Sequence, residues 1–353
     1  MGKGFAITSS LNLGKLLLAG YARHCTEPTM NGHGGKDESE DKVQLARLPQ
    51  IRVAAITNDT VATFVSLAYA VKAAPNSRVA MGLIVGTGTN ATVPMKLQDL
   101  HPAKQRNFRD PEAVEMVVIN TEWTIRGADK PLIDMNIKTP WDLTLDASSD
   151  APGFQPFEYM TAGRYLGEIV RLVFLDVVKR ELRTNIPASL GMRNALPTRF
   201  LSEVVARLDL EHIKEELQKR HPYTSSSIPY WTTTRVDLLR RIAQAVQQRS
   251  SALIAAACIG LLHCVHDICI DDQATSNGIG LRKDSDIEEL VIAYAGGTIS
   301  QYPRWLETCQ HWINTLVRAG SKANESKRVV LREALNGGII GAGVLAGMTN
   351  GID

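Results

Sequence analysis

The sequence has little charge imbalance, no paired cysteines and no long apolar run, and each shortage removes a class of protein. Among 353 residues, 39 Lys and Arg stand against 37 Asp and Glu, a formal net charge of +2. No basic excess argues for nucleic acid or an anionic membrane surface as partner. The five cysteines, Cys25, Cys258, Cys264, Cys269 and Cys309, are odd in number and contain no Cys-x-x-Cys pair, which suits reduced thiols better than a disulfide framework. The longest apolar run, Ala252–Val265, is interrupted by Gly260 and His263 and falls short of the roughly 18–20 residues that cross a bilayer. Met1 to Phe5 do not lead from a charged stretch into an apolar core with a small-residue cleavage site, so no secretory signal is predicted. The expectations are no nucleic acid partner, no membrane span and a cytoplasmic location.

What is present is ordinary globular material: 44% hydrophobic and 22% charged residues, enough for one large core or two modest ones. Three short runs rich in Val and Ile, Ile51–Ile56, Val79–Val85 and Met116–Ile119, are bounded by Asn, Asp, Gly or Pro and read as buried strands. Val61–Ala70 has the length of a helix, so an α/β sheet is predicted at the centre. From Phe157 the period changes: Met160, Leu166, Ile169, Val170, Val173, Phe174 and Val177 mark one apolar helix face. A polar helix over Asp209–Lys219 and a long one over Val236–Val265 follow. Pro303 at a first helical position and Gly320 as the stop frame another, with Trp305, Cys309, Trp312, Ile313 and Leu316 on its face. The second half is therefore predicted to be helical. Thr26–Gln44, crowded with Gly, Asp, Glu, Lys and Ser, reads as a mobile surface loop.

Four segments carry the candidate chemistry. Asn58-Asp59-Thr60 closes the first predicted strand, where ligands of open α/β sheets gather and a carboxylate can act as a base. The same residues suit the cap of the helix that follows. Gly86-Thr87-Gly88-Thr89-Asn90 follows the second strand. Its glycines allow a tight turn and expose backbone N–H groups that can cradle an anion; a plain hairpin turn is the alternative. It is neither a P-loop nor the dinucleotide fingerprint. Asn120-Thr121-Glu122-Trp123 closes the third strand, and Pro152–Glu158 precedes the helical half, with Glu158 suited to a helix's first turn. His263 and His266 lie where a core helix leaves the interior, and no fourth ligand of standard spacing appears, so no metal site is predicted.

Taken together and in order, these segments resemble the hexokinase family. Lys3-Gly4-Phe5 is similar to the end of the family's Trp-Thr-Lys-Gly-Phe segment, and Ile56–Thr63 to its Val-Asn-Asp-Thr-Val-Gly-Thr segment. Ile84–Asn90 resembles the second phosphate loop, and Asn120–Trp123 matches Asn-Thr-Glu-Trp. Pro152–Glu158 and Tyr165-Leu166-Gly167-Glu168 match Pro-Gly-x-Gln-x-Phe-Glu and Tyr-Leu-Gly-Glu, while Arg249–Ala252 and Tyr302-Pro303 fall at family positions. The resemblance implies an actin-like ATPase (ribonuclease H-like) large lobe over 1–334, and a segment at 335–353 that would pack on a small lobe. It further implies phosphorylation of a hexose at its 6-hydroxyl by ATP with Mg²⁺, glucose being the default substrate. Asp59 would be the base. Lys3, Asn58, Asp59, Asn90, Glu122 and Glu158 would hold sugar hydroxyls, and Gly86, Thr87, Gly88 and Thr89 the phosphates.

Several positions depart from the family pattern. Nothing resembles the small lobe's Asp-Leu-Gly-Gly-Thr-Asn loop; Gly2 stands where the family has Thr, and Thr124 where it has Gly. Ala295-Gly296-Gly297 replaces the nucleotide-contacting Asp-Gly-Ser/Thr, and Asn336–Ile339 departs from Asp-Gly-Ser-Gly. Sugar residues are kept better than nucleotide residues, so the alternative reading is a catalytically silent sugar-sensing or regulatory hexokinase-like protein. Without a small lobe, the apolar segment Ile339–Leu345 is expected to be exposed and to drive self-association.

Overall fold

The computed structural model describes residues 12–25, 48–71, 76–108, 110–123, 125–182, 186–223, 229–270 and 289–349. Lys3 and the Thr26–Gln44 loop lie outside them. The chain forms two compact units, one of residues 58–344 and one of residues 1–57 with 345–353.

In the smaller unit, helix α1 (Leu13–Cys25), which the sequence did not announce, exposes Leu13, Leu16, Leu17 and Leu18. The Tyr21 hydroxyl donates to the Pro49 carbonyl over 2.6 Å. Ile51–Ile56 corrects an expectation: the segment is not a strand, and both Ile51 and Ile56 are exposed. β-branched residues favour an extended chain, but a strand is defined by its ladder, and these residues belong to no strand of the sheet.

The larger unit opens with α2 (Asp59–Val71), then β1 (Ser77–Val85), β2 (Thr89–Lys96) and β3 (Met116–Asn120). Next come α3 (Ile125–Asp134), α4 (Pro140–Ala147), α5 (Pro156–Thr161), α6 (Gly163–Leu182), α7 (Leu210–Arg220) and α8 (Thr233–Cys264). β4 (Glu289–Ala295), α9 (Gly297–Gln301), α10 (Trp305–Gly320), β5 (Arg328–Glu333) and α11 (Gly337–Thr349), whose residues from Leu345 on belong to the smaller unit, complete the order. One sheet holds all five strands in the order β3-β2-β1-β4-β5. β1 is antiparallel to β2, and β2 to β3, while β4 runs parallel to both β1 and β5. The α/β class is as predicted, but the second half is not purely helical, because β4 and β5 return to the sheet. β4 was missed because a central parallel strand is buried on both faces and shows no alternation; Leu290, Val291, Ile292 and Ala293 are all inaccessible. β2 was missed because it carries Thr, Asn and Pro94. Pro94 is tolerated because β1 pairs β2 only through Thr92, leaving Pro94 with β3 alone.

The two faces of the sheet bury different partners. Met81, Leu83 and Val85 join Met160, Leu166, Phe174, Trp231 and Trp305 in the large core, whereas Val79, Val291 and Ala293 pack on Phe64 and Leu67 of α2. α8 is long and apolar enough to cross a membrane, yet Val236, Leu239, Ile254 and Leu262 are buried in this core. On α10 the buried residues are Trp305, Cys309, Ile313 and Val317, so Trp312 sits at the edge of that face and is 40% exposed. Pro303 is not the first helical residue: Arg304 is the N-cap, at φ 65°. Of the segment Ile339–Leu345, expected to be exposed, Ile339 and Ile340 are exposed, whereas Val344 and Leu345 are half-buried.

α2 approaches the sheet over Gly82. A Cβ there would lie 2.4 Å from the Thr60 carbonyl oxygen and 2.9 Å from Phe64 Cβ. Gly82→Ala is therefore expected to lower stability by about 1–3 kcal/mol in urea unfolding; an unchanged midpoint would show that α2 yields freely.

His221 is buried beside Trp231, its Nδ1 3.0 Å from the Ser189 hydroxyl. Desolvation, then the Arg220 charge, hold its pKa below the ordinary 6.5. The unfolded chain thus binds this proton more readily, and stability present above the ordinary value is lost as pH falls through the folded one. His212, raised by its hydrogen bond and charge interaction with Asp209, acts with opposite sign but is solvent-screened. The melting temperature should drop between about pH 7 and about pH 5, less steeply in His221→Gln; equal slopes would remove His221 as the cause.

Candidate functional site

The end of β1, the start of β2, the end of β3 and the N-terminus of α2 meet at one end of the sheet, and Asn90 is their junction. Its Oδ1 accepts from the Ala91 and Glu122 backbone N–H groups, each at 2.8 Å. Its Nδ2 lies 2.6 Å from Asn120 Oδ1 and 3.2 Å from Glu122 Oε1. The Glu122 carboxylate also accepts from Asn120 Nδ2 at 2.9 Å and Asn58 Nδ2 at 3.3 Å. Three amides thus face one carboxylate oxygen. Glu122 and Trp123 both adopt positive φ, 52° and 40°, an uncommon pair that turns the chain sharply at the end of β3. The turn is held from behind, where Gln155 Nε2 donates to the Glu122 carbonyl over 3.1 Å.

Asn58 caps the helix, one of the two roles the sequence suggested. Its Oδ1 accepts from the Thr60 N–H at 2.9 Å and from the Thr60 hydroxyl, and so caps α2, while its amide nitrogen reaches Glu122. Asp59, the first residue of α2, is exposed, and its Oδ1 accepts only from the Thr60 N–H among the hydrogen bonds resolved for it. Glu158, 2% exposed, accepts from the Thr89 N–H at 3.3 Å.

The Gly86–Gly88 segment is the connection of the β1–β2 hairpin, closed by Gly86 N–H donating to the Gly88 carbonyl at 2.9 Å. The Gly86 carbonyl accepts from Gly163 N–H at 2.8 Å and from the Thr298 hydroxyl at 3.0 Å. This tie needs the backbones to touch: Gly296 has φ 122°, and a Cβ on it would lie 2.4 Å from the Val85 carbonyl oxygen. Gly86 and Thr87 line a cavity of about 400 Å³ together with Arg164, Arg199 and Thr298. Thr89 turns inward to Thr161, 3.1 Å away. Glu168 fixes one wall by accepting from the Asn194 N–H at 2.6 Å and from Arg171 Nε at 2.7 Å.

Of the predicted site residues, the structure brings Asn58, Asn90 and Glu122 into direct contact, and Glu158 borders them through Thr89. Asn120, Thr60 and Gln155 were not singled out. Asn120 and Gln155 stood inside quoted motifs, but what they touch is visible only in three dimensions. Among the described residues no cluster of three or more His, Cys, Asp or Glu could hold a metal ion.

A mixed five-stranded sheet packed with helices makes this an α/β protein, consistent with an actin-like ATPase fold. The hexokinase family model matches residues 80–348, and the chain belongs to that family. It is 28% identical over 302 residues to the chloroplastic hexokinase-2 of Nicotiana tabacum, covering 84% of this chain and 53% of that protein. To the hexokinase of Schistosoma mansoni it is 33% identical over 216 residues, covering 59% and 44%. The solved hexokinase from Schistosoma mansoni complexed with glucose superposes with a TM-score of 0.62 at 26% identity, over 83% of this chain and 57% of that one. The chain spans about half the length of the curated relatives it matches.

Replacing Asn90 by Ala would leave the Ala91 and Glu122 N–H groups without their acceptor. The expected loss is about 1–3 kcal/mol for each N–H left buried without a partner, read as a lower urea midpoint; a neutral Asn90→Ala would show that water replaces the amide.

Proposed function

We propose that the chain carries the sugar-holding and base-bearing part of a hexokinase, which transfers the γ-phosphoryl group of Mg-ATP to the 6-hydroxyl of a hexose. The observation that supports this most is the convergence of Asn58, Asn90, Asn120 and Glu122 at the sheet end. Paired amides and carboxylates match vicinal hydroxyls, accepting from one and donating to the next. The family match and the glucose complex of the Schistosoma mansoni structure support glucose as the hexose.

In this reading Asp59 takes the proton of the 6-hydroxyl as that oxygen bonds to the γ-phosphorus, while the bond from phosphorus to the β–γ bridging oxygen breaks and ADP leaves. Exposure at the first residue of α2 keeps this carboxylate reachable. Glu122 and Glu158 accept from ring hydroxyls, with Asn58 and Asn90 fixing the orientation of Glu122 and the Thr89 N–H that of Glu158. The cavity beside Gly86 and Thr87 takes the nucleotide, and its arginines Arg164 and Arg199 suit a polyphosphate. Mg²⁺ enters as part of the Mg-ATP substrate.

One observation favours a second reading, a sugar-binding protein without transfer: β4 ends in Ala295-Gly296-Gly297, so no carboxylate stands where β4 meets the nucleotide cavity. Calorimetry with glucose and a coupled assay for ADP release separate the two. Glu122→Gln should weaken glucose binding about ten- to a hundredfold. Asp59→Ala should cut turnover by about 10²–10⁴-fold and weaken glucose binding less than Glu122→Gln does, since it removes one partner of the 6-hydroxyl. Glucose binding with equal, background ADP release from wild type and Asp59→Ala would sink the kinase reading and leave the sensor.

A further inference from the structure

A second cavity, of about 530 Å³, lies on the other side of Tyr302 from the nucleotide cavity. It is bounded by the π-helical turn Leu201–Val205, by α8 and by the start of α10. Apart from Tyr302 it shares no lining residue with the sites above.

Its polar lining is rich in donors without acceptors. Gln247 is 5% exposed, and its Nε2 has no hydrogen-bond partner among the described residues. Arg240, two turns earlier on the same face of α8, has a buried Nε that also lacks a partner, although its Nη2 donates to the Leu208 carbonyl. α10 begins at this cavity with Arg304 as N-cap, whose side chain caps no N–H; the Trp305 N–H donates to the Tyr302 carbonyl at 3.1 Å, and among the described residues no side chain accepts from the next two. An uncapped helix start is a partial positive charge that favours an anion. Arg304 adds a cationic group and His311 a ring N–H, and Glu307 is the one carboxylate in the lining. Val205, Ala206, Ala243 and Pro303 form an apolar wall. The volume falls within the roughly 300–1,000 Å³ of small-molecule sites.

We propose that this cavity binds a small organic oxyanion, one that carries a phosphate or carboxylate on an apolar body. The anion would sit at the start of α10 against Arg304 and accept from Gln247 and Arg240, with the apolar body on Val205 and Ala243. The inference is independent of hexose phosphorylation, because none of these residues belongs to the sugar or nucleotide positions.

Calorimetric titration of the full chain with phenyl phosphate, benzoate and benzyl alcohol tests it, with ADP and glucose present throughout. Phenyl phosphate or benzoate should bind about tenfold or more tighter than benzyl alcohol, and which of the two binds identifies the anion. Gln247→Leu should weaken that binding about tenfold without lowering the melting temperature, since removing an unmet buried donor is neutral or stabilising. Arg304→Gly keeps the left-handed backbone and should weaken binding about fivefold; it decides the matter if Gln247→Leu does not fold. Binding of neither anion, equal binding of benzyl alcohol, or anion binding unchanged in these variants would overturn the proposal.

Discussion

One side-chain amide organises the polar cluster at the end of the sheet. Asn90 stands at the start of β2, holds the left-handed turn after β3 through the Glu122 N–H, and presents its nitrogen to the carboxylate of that same residue. Glu122 is therefore gripped at both its backbone and its side chain. Because Asn58 reaches the same carboxylate while capping α2, the direction of α2 and the position of Asp59 are tied to it. Preorganisation of this kind has a physical purpose: groups already oriented by the protein lose little freedom when a ligand arrives.

The cavity beside Gly86 rests on a different constraint, the close approach of backbones. Gly86, Gly163 and Gly296 bring the ends of β1 and β4 and the start of α6 within hydrogen-bond or van der Waals reach. Side chains are excluded where these segments touch, and the charged residues lining that cavity are Arg164, Glu168 and Arg199. The two halves of the site thus differ in kind. One is a network of side chains that single substitutions can retune; the other is a shape set by glycines.

Motif residues were legible because their identity carries the chemistry: Asn58, Asn90, Glu122 and Glu158 were named from order and type, and three of them meet in the fold. The strongly periodic helices were legible for the same reason, periodicity being local. What pairing decides was not. Ile51–Ile56 has the composition of a strand and lies outside the sheet, whereas Thr89–Lys96, with a proline inside it, is a strand because β1 and β3 supply its ladder. Glu289–Ala295 hid within a helical half because a strand buried on both faces shows no alternation. Trp312 was placed on the core face by a seven-residue spacing that drifts to the rim of a face centred on Cys309 and Ile313.

The mixed strand order also carries a history. β1 and β2 pair across the short turn Gly86–Gly88 and β3 follows soon after, whereas Ser77 and Glu289, which begin β1 and β4, are 212 residues apart in sequence. Closing the longer loop costs more chain entropy and sets a slower step. On a ribosome, where the N-terminal part emerges first, the segments that carry Asn58, Asn90 and Glu122 are synthesised while Gly296 and Thr298 are still missing. During that interval β1 waits with one edge open, so β4 is the strand whose late arrival decides whether the nascent sheet closes on itself or on a neighbouring chain.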